Sequence, residues 1–401
     1  MAKSNTLLIV GGGIVGMTLA REAALRNDFS KITLIEKEEQ LGFHASSRNS
    51  GVIHAGFYYA PNSKKALFCS EANTLLRDYC LTNKVELIKT GKVVVCKDEK
   101  ELEILYELYE RGVANKSKIY FLDEKELKHY ESLAITNSKF IWSPNTWSAN
   151  PKDLIKKLNF ELKELGVNII LNRKIVAFEN NIIIDNKNYK YEYDFLINAA
   201  GAYSLKLAKM MGINTNYVLL PFRGMYLKSN QKVRNFNAHI YPVPNIKQPF
   251  LGIHTTLTSD GYLKLGPTAF PVFSPENYRF FEGIDLDFLP SIVFNQLKLF
   301  INNSFGYRNL AFQEFNNLFK DNILSAAQKL TKYKLNSKDF SWYTPGIRAQ
   351  LFDNKNEILE MDFVNVKNSN QYHILNSISP AWTCSFKTAK YVIDEIEKII
   401  K

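Results

Sequence analysis

The stretch Thr6-Leu7-Leu8-Ile9-Val10-Gly11-Gly12-Gly13-Ile14-Val15-Gly16-Met17-Thr18-Leu19-Ala20 decides the fold. Its first five residues form an apolar run of the kind buried in a parallel sheet, and the residues after Gly13 read as a helix. Gly11, Gly13 and Gly16 fit G-x-G-x-x-G. Such glycines allow a tight turn and a close approach of backbone to a pyrophosphate. The helix N-terminus behind them offers unpaired N–H groups and a positive dipole. A second strand, Ile32-Thr33-Leu34-Ile35, ends in Glu36. An acid about twenty residues past the glycines is placed to bond a ribose hydroxyl. Both strands, the glycines and the acid predict a dinucleotide site rather than a glycine turn in an ordinary α/β domain.

The next segment, Ala45-Ser46-Ser47-Arg48-Asn49-Ser50-Gly51-Val52-Ile53-His54-Ala55-Gly56-Phe57-Tyr58-Tyr59, carries neither a helix nor a strand period. Its small and polar residues let backbone amides reach a ligand closely, where a nicotinamide enzyme would continue with plain βαβ units. Here the chain resembles the FAD-dependent oxidoreductases of the D-amino-acid-oxidase and glycine-oxidase superfamily. Within it, the chain is most similar to the L-2-hydroxyglutarate oxidase (dehydrogenase) family. That resemblance rests on Asn49 to His54, Gly56 to Tyr59, Pro61, Ser63, Lys64 and Ala66, then on Pro221-Phe222-Arg223-Gly224 and Ile240-Tyr241-Pro242-Val243-Pro244. It continues through Phe250-Leu251-Gly252-Ile253-His254, Gly266-Pro267, Gly346-Ile347-Arg348-Ala349-Gln350 and Ser379-Pro380-Ala381. The blocks keep the family's order and cover essentially the whole chain.

The resemblance implies FAD as cofactor. It implies flavin contacts at Gly11, Gly13, Ile14, Val15, Gly16, Glu36, Lys37, Ser46, Ser47, Asn49, Ser50 and Gly51. Val176, Ala200, Gly201, Arg348, Pro380, Ala381, Trp382 and Thr383 complete the set. Some positions depart from the family pattern: Met225 follows Arg223-Gly224, Thr255-Thr256-Leu257 follows His254, and Trp147 and Trp382 replace small residues. These departures leave a bulkier 2-hydroxy acid open as substrate.

Composition suits a globular enzyme of two or three lobes. No stretch reaches the length of a membrane-spanning helix. Cys69, Cys80, Cys96 and Cys384 form no C-x-x-C, so neither a zinc site nor a disulfide framework is expected, and a cytoplasmic home is the simplest. The formal charge of +11 comes from lysines scattered among asparagines and isoleucines, which argues against nucleic acid as a partner. It leaves open a peripheral patch on the inner membrane face.

The chain reads as α/β. A Rossmann-type FAD-binding domain (1–85, 145–220 and 340–401) interleaves with an α+β substrate domain (86–144 and 221–339) built on an antiparallel sheet over 217–275. Helices are expected at Lys65 to Asn83, Lys100 to Ala114, from Pro151 to Gly166, as a pair over 286–332, and from Lys387 to the end. The last carries Ala389, Val392, Ile393 and Ile396 on one face. That face is expected against the flavin domain's sheet rather than on a membrane.

Oxidation of a 2-hydroxy acid needs a cation for the carboxylate and a base for the hydroxyl proton. Arg348 matches the superfamily's carboxylate-binding arginine and has the forked geometry for it. Arg223 either holds a second carboxylate or stiffens the sheet. His54 is the first candidate base and His254 the second, each alternatively a core histidine, and Tyr241 reaches in from a neighbouring strand. L-2-hydroxyglutarate is the leading substrate, and an amino-acid oxidase is the alternative. The electron acceptor is left open between oxygen, a quinone and a soluble carrier. No metal is expected.

Overall fold

In the computed structural model, which describes residues 5–179, 181–244, 250–280 and 282–400, the chain divides into two units. The first comprises Met1–Ser47, Pro151–Leu219 and Ala349–Lys401, and the second Arg48–Asn150 and Leu220–Arg348. Residues 48–85 therefore fall in the second unit, not with the glycine motif. Val52–Ile53 and Leu87–Ile88 both pair with Trp147–Ala149 there, in a small three-stranded sheet.

In the first unit, the opening strand Thr6–Val10 lies inside a six-stranded sheet, flanked by Lys31–Ile35 and Phe195–Asn198 in parallel register. Asn168–Ile170 and Gln371–Ile374 extend it in parallel, and Asn365–Asn368 closes one edge antiparallel. Strands buried on both sides need continuous apolar sequence, which Leu7 to Val10 and Phe195 to Ile197 supply. Helix Ile14–Arg26 is buried along most of its first three turns. It packs against Pro151–Glu164 and Ala381–Ile400.

The last helix starts at Ala381, earlier than its periodicity alone suggests, and buries Ala389, Val392, Ile393 and Ile396. Each buried branched side chain is worth roughly 1.5–3 kcal/mol, so this face is a core face. Arg26 fastens the two helices, pairing with Asp394 at 2.6 Å and Glu397 at 2.8 Å.

The second unit is built on an eight-stranded sheet. Its order is Phe340–Trp342, Leu227–Ser229, Leu263–Gly266, His254–Leu257, His239–Pro242, Lys92–Val95, Lys139–Ser143 and Tyr120–Asp123. Every pairing is antiparallel except one: His239–Pro242 runs parallel to Lys92–Val95, which a reading confined to 217–275 does not reach.

Alternate residues of a strand point to opposite faces. On one face Val93, Val95, Ile240, Leu257, Leu263 and Leu265 pack with Ile323, Leu324 and Ala327 of helix Lys320–Gln328. Lys92, His239, Tyr241, His254, Thr256 and Lys264 have the opposite parity. The helical segment after residue 286 holds three helices rather than a pair: Leu289–Asn302, Tyr307–Asn316 and Lys320–Gln328.

Candidate functional site

The nucleotide motif closes on backbone. Gly11 has φ +110°, and a Cβ there would stand 2.4 Å from the Ala199 carbonyl oxygen. A Cβ on Gly16 would stand 1.9 Å from the Gly11 carbonyl oxygen. Strand and helix therefore touch through these two residues, and no side chain fits. Gly13 is different: a Cβ there would meet only the Ser46 hydroxyl, at 3.1 Å. The same Ser46 Oγ accepts the Ile14 N–H at 2.8 Å, so the helix start already takes an oxygen acceptor. Glu36 is buried, and its carboxylate accepts the Gly12 and Glu38 N–H groups at 2.6 and 3.0 Å. The second strand's acid is thus locked beside the glycine turn. A backbone open to close approach, a helix N-terminus that accepts oxygen and a fixed carboxylate fit FAD.

Other residues implicated by resemblance are distributed as follows. Val15 lies in the first turn of Ile14–Arg26. Lys37 lies 5.2 Å from the Tyr203 ring centroid, and the Ser47 N–H donates to the His44 carbonyl. Ala200 donates its N–H to Asn198 Oδ1, and Gly201 takes φ +58°. Val176 is exposed on the short antiparallel strand Ile175–Glu179. Pro380 precedes the last helix and Ala381, Trp382 and Thr383 open it, where the Trp382 indole N–H is buried with no hydrogen-bond partner among the described residues. In the second unit, Asn49 and Ser50 turn their side chains onto the N–H groups of Gly51 and Val52, shaping a local turn.

The polar face of the eight-stranded sheet carries Tyr241 and His254, whereas His54 follows Val52–Ile53 and Arg348 lies on the separate strand Gly346–Asp353. Lys92, only 1% exposed, starts its strand as the Cα partner of His239. Its ammonium nitrogen lies 4.4, 4.2 and 4.7 Å from the ring centroids of Phe57, Tyr58 and Tyr241. Burial holds its pKa well below the usual lysine range. Burying an ammonium costs several kcal/mol. Each ring face returns about 0.5–2 kcal/mol, so the cage offsets this only in part.

The Tyr241 ring stacks on His254 at 3.7 Å between centroids. His254 Nδ1 lies 2.9 Å from the Gly252 carbonyl oxygen. A carbonyl accepts, so Nδ1 carries the proton and Nε2 holds the lone pair. Burial first and then Lys92, working against the Gly252 contact that raises it, leave His254 pushed down to about 3. His54 is likewise pushed down to about 3, by burial first and then by Lys92 and His254. Both rings are neutral at physiological pH.

His239 is a structural member of the same face. Its Nδ1 accepts the Leu257 N–H at 3.1 Å, so its Nε2–H faces Thr90 Oγ1 at 2.9 Å. His44, His129 and His373 stand outside this face.

Arg348 ends the second unit with its guanidinium 5.2 Å from the Phe250 ring centroid. Burial lowers its pKa to about 10, which keeps it charged at neutral pH. Arg223 is buried between Phe270 and Phe280, at 5.4 and 4.8 Å, and donates to the Tyr278 carbonyl. That one bond ties it to the 270–280 segment, while its Nε is buried with no hydrogen-bond partner among the described residues, so both readings of Arg223 stand.

Lys92 is the residue that sequence reasoning passed over. Its signal was parity: a lysine in register with Val94 inside the buried run Lys92-Val93-Val94-Val95 must be buried too. Trp147 sits under Arg77 and Lys89, at 4.6 and 5.1 Å, with its indole N–H donating to the Pro144 carbonyl.

The family model described as FAD dependent oxidoreductase (DAO) matches residues 6–395. The mitochondrial L-2-hydroxyglutarate dehydrogenase of Bos taurus is 30% identical, the match covering 99% of this chain and 90% of that protein. L-2-hydroxyglutarate dehydrogenase of Escherichia coli K12 is 29% identical, covering 98% and 93%. Among solved structures, the L-α-glycerophosphate oxidase of Mycoplasma pneumoniae with FAD bound is similar with a TM-score of 0.75 at 21% identity, covering 99% and 95%. Glycine oxidase of Geobacillus kaustophilus is similar with a TM-score of 0.73 at 16% identity, covering 98% and 95%.

Proposed function

Taking as premise that this chain belongs to the FAD dependent oxidoreductase (DAO) family, we propose that it oxidises a 2-hydroxy acid to the 2-oxo acid, with L-2-hydroxyglutarate the leading substrate. The observation that carries this reading is the pair of neutral histidines, His54 just past the strand Val52–Ile53 and His254 on the eight-stranded sheet, each held down by burial and by the nearby buried Lys92. A hydroxyl proton must go to a base that is free at neutral pH, and both rings are. An amine substrate arrives with its own lone pair once neutral and needs no such base, so the amino-acid oxidase alternative leaves the pair unexplained.

Arg348 holds the substrate carboxylate through two parallel hydrogen bonds and so fixes the orientation of the α-carbon. His54 takes the hydroxyl proton as the carbonyl forms. His254 is stacked on Tyr241 and more deeply buried, and it holds its neighbours in place. Bound FAD supplies the acceptor for the hydride that leaves the α-carbon. Trp147, engaged by Arg77 and Lys89, gives no support to a pocket reshaped for a bulkier acid. Anaerobic mixing of the yellow holoenzyme with a panel of 2-hydroxy and 2-amino acids tests the proposal. L-2-hydroxyglutarate is expected to bleach the flavin fastest, whereas bleaching by amino acids alone would overturn it.

A peripheral membrane contact is part of the same reading, and its support lies on Leu289–Asn302 and Tyr307–Asn316. Phe294, Leu297, Ile301, Phe312 and Phe315 are exposed along these helices, in company with Lys298 and Arg308. An apolar surface with cations beside it suits an anionic bilayer surface. No helix of the described residues is long and apolar enough to cross a membrane. Sedimentation with anionic vesicles is expected to carry the protein down, and Phe294→Ser with Phe312→Ser to release it. Equal sedimentation of both forms would remove the contact.

A further inference from the structure

We infer that Asn73 is a positioning residue for the reaction: its side-chain amide holds the His54 carbonyl and so sets where the His54 imidazole stands. This rests on the proposed role of His54 as the base that takes the hydroxyl proton. The strand leading to His54 is short. Val52–Ile53 pairs with Trp147–Ala149 through two rungs, Val52 with Ser148 and Ile53 with Trp147. His54 stands just past the second rung, and side chains of helix Lys64–Thr82 take its carbonyl in place of a partner strand. Asn73 Nδ2 donates to it at 3.0 Å and the Cys69 thiol at 3.4 Å. Residues 69 and 73 are four apart, so both come from one face of that helix. The next carbonyls follow the same plan. Ala55 accepts from the Ser117 hydroxyl at 2.8 Å, and Gly56 accepts from Asn115 Nδ2 at 3.2 Å.

Asn73 does more than cap one carbonyl. Its Nδ2 also donates to the Asn145 carbonyl at 2.9 Å. Carbonyls only accept, so both amide hydrogens of Asn73 are engaged. Asn145 lies in the turn that enters the partner strand at Trp147. The amide therefore bridges the two chains where their ladder stops. Arg77, one turn further along the same helix face, donates to Asn145 Oδ1 at 3.3 Å and covers the Trp147 ring at 4.6 Å. Asn73 is 3% exposed, on a helix whose other buried residues include Phe68, Ala72 and Leu76. An apolar residue would satisfy packing there, and a buried amide is costly unless it is bonded. The amide is thus accounted for by the two chains it holds. A base must be held closely, since about 1 Å of misplacement costs on the order of a hundredfold in rate.

Anaerobic stopped-flow reduction of the holoenzyme by L-2-hydroxyglutarate separates substrate affinity from the limiting rate of flavin bleaching. Asn73→Ala removes both donors. It is expected to keep its flavin and a substrate Kd within about twofold of wild type, while the limiting rate falls by about ten- to a hundredfold. Asn73→Ser, which keeps one donor, is expected to recover part of that loss. In a His54→Gln background no base is left to place, so adding Asn73→Ala should cost nothing further. A merely structural asparagine would multiply its loss onto that of His54→Gln, and that result overturns the inference. A limiting rate in Asn73→Ala equal to wild type does the same. If Asn73→Ala does not fold, Asn73→Ser carries both comparisons. The two readings fail separately. A slow His54→Gln with an unimpaired Asn73→Ala keeps the base and removes the positioning. A His54→Gln as fast as wild type removes the base itself, and the positioning role with it.

Discussion

The glycine turn of the first unit and the polar sheet face of the second meet ligands by opposite means. The turn works by leaving side chains out: Gly11 and Gly16 bring strand and helix together so closely that only backbone is presented. The sheet face and the His54 segment beside it work by putting titratable groups where water is scarce, with Lys92, His54 and His254 each displaced from its ordinary protonation behaviour by burial. A cradle of backbone dipoles needs little desolvation and tolerates no added atoms. A buried polar face tolerates shape changes better than changes in charge. Substitutions should therefore fail in different ways in the two regions.

The largest effect is expected at Gly13. Its Cβ would meet only the Ser46 hydroxyl, so Gly13→Val should fold yet emerge colourless, because the added side chain blocks the pyrophosphate. Gly16→Val, aimed at backbone 1.9 Å away, should instead fail to fold. Full flavin occupancy in folded Gly13→Val, read from absorbance after gel filtration, would erase the contrast.

In the second unit, His54→Gln should keep its flavin and lose roughly 10²–10⁴ in kcat, the usual worth of a general base. Wild-type kcat/KM should have no acid limb near pH 6.5, because the His54 ring stays neutral down to about 3. A limb at pH 6.5 that His54→Gln removes would contradict the burial argument. Next comes Arg348→Lys, which keeps the charge but not the fork. It should cost about tenfold or more in kcat/KM, with flavin content unchanged. Unaltered kinetics would take Arg348 out of the substrate's reach.

The smallest effect concerns stability in acid. The histidines at 54, 239 and 254 are pushed down to about 3 and His373 to about 4, all chiefly by burial. In the unfolded chain they titrate near 6.5. Between those limits the unfolded chain binds protons that the native protein refuses, so stability falls as pH drops below about 6.5. Asp185 and Asp260, held below the usual carboxylate range, act in the same direction at lower pH. Glu131 and Glu314, raised by burial, act against it. Tm is expected several degrees lower at pH 5 than at pH 7.5. A constant Tm would mean that the histidines titrate in place.

How legible each region is follows from the same contrast. The glycine turn is written locally: Gly11, Gly13, Gly16 and Glu36 are close in sequence, and the apolar strands flanking them announce their burial. The sheet face is assembled over long separations. Lys92 faces Tyr241 only because Lys92–Val95 runs parallel to His239–Pro242, a pairing with no local signal. The strand Val52–Ile53 gives no local sign of its partner either, since it pairs with Trp147–Ala149 nearly a hundred residues on. His54, His254, Tyr241 and Arg348 were found through motif resemblance, whereas Lys92, caged and without an acidic partner, needed coordinates.

The register of the first strand bears on how the molecule is made. Leu7 pairs with Phe195, and the Phe195–Asn198 strand pairs in turn with Gln371–Ile374. On the ribosome, the opening strand waits for nearly two hundred residues before one neighbour exists. The next strand outward comes later still. Until then the nascent chain carries an apolar strand with an unpaired edge, the kind of surface that chaperones hold. Expression yield is therefore expected to depend on translation rate and chaperone supply more than on the stability of the finished fold.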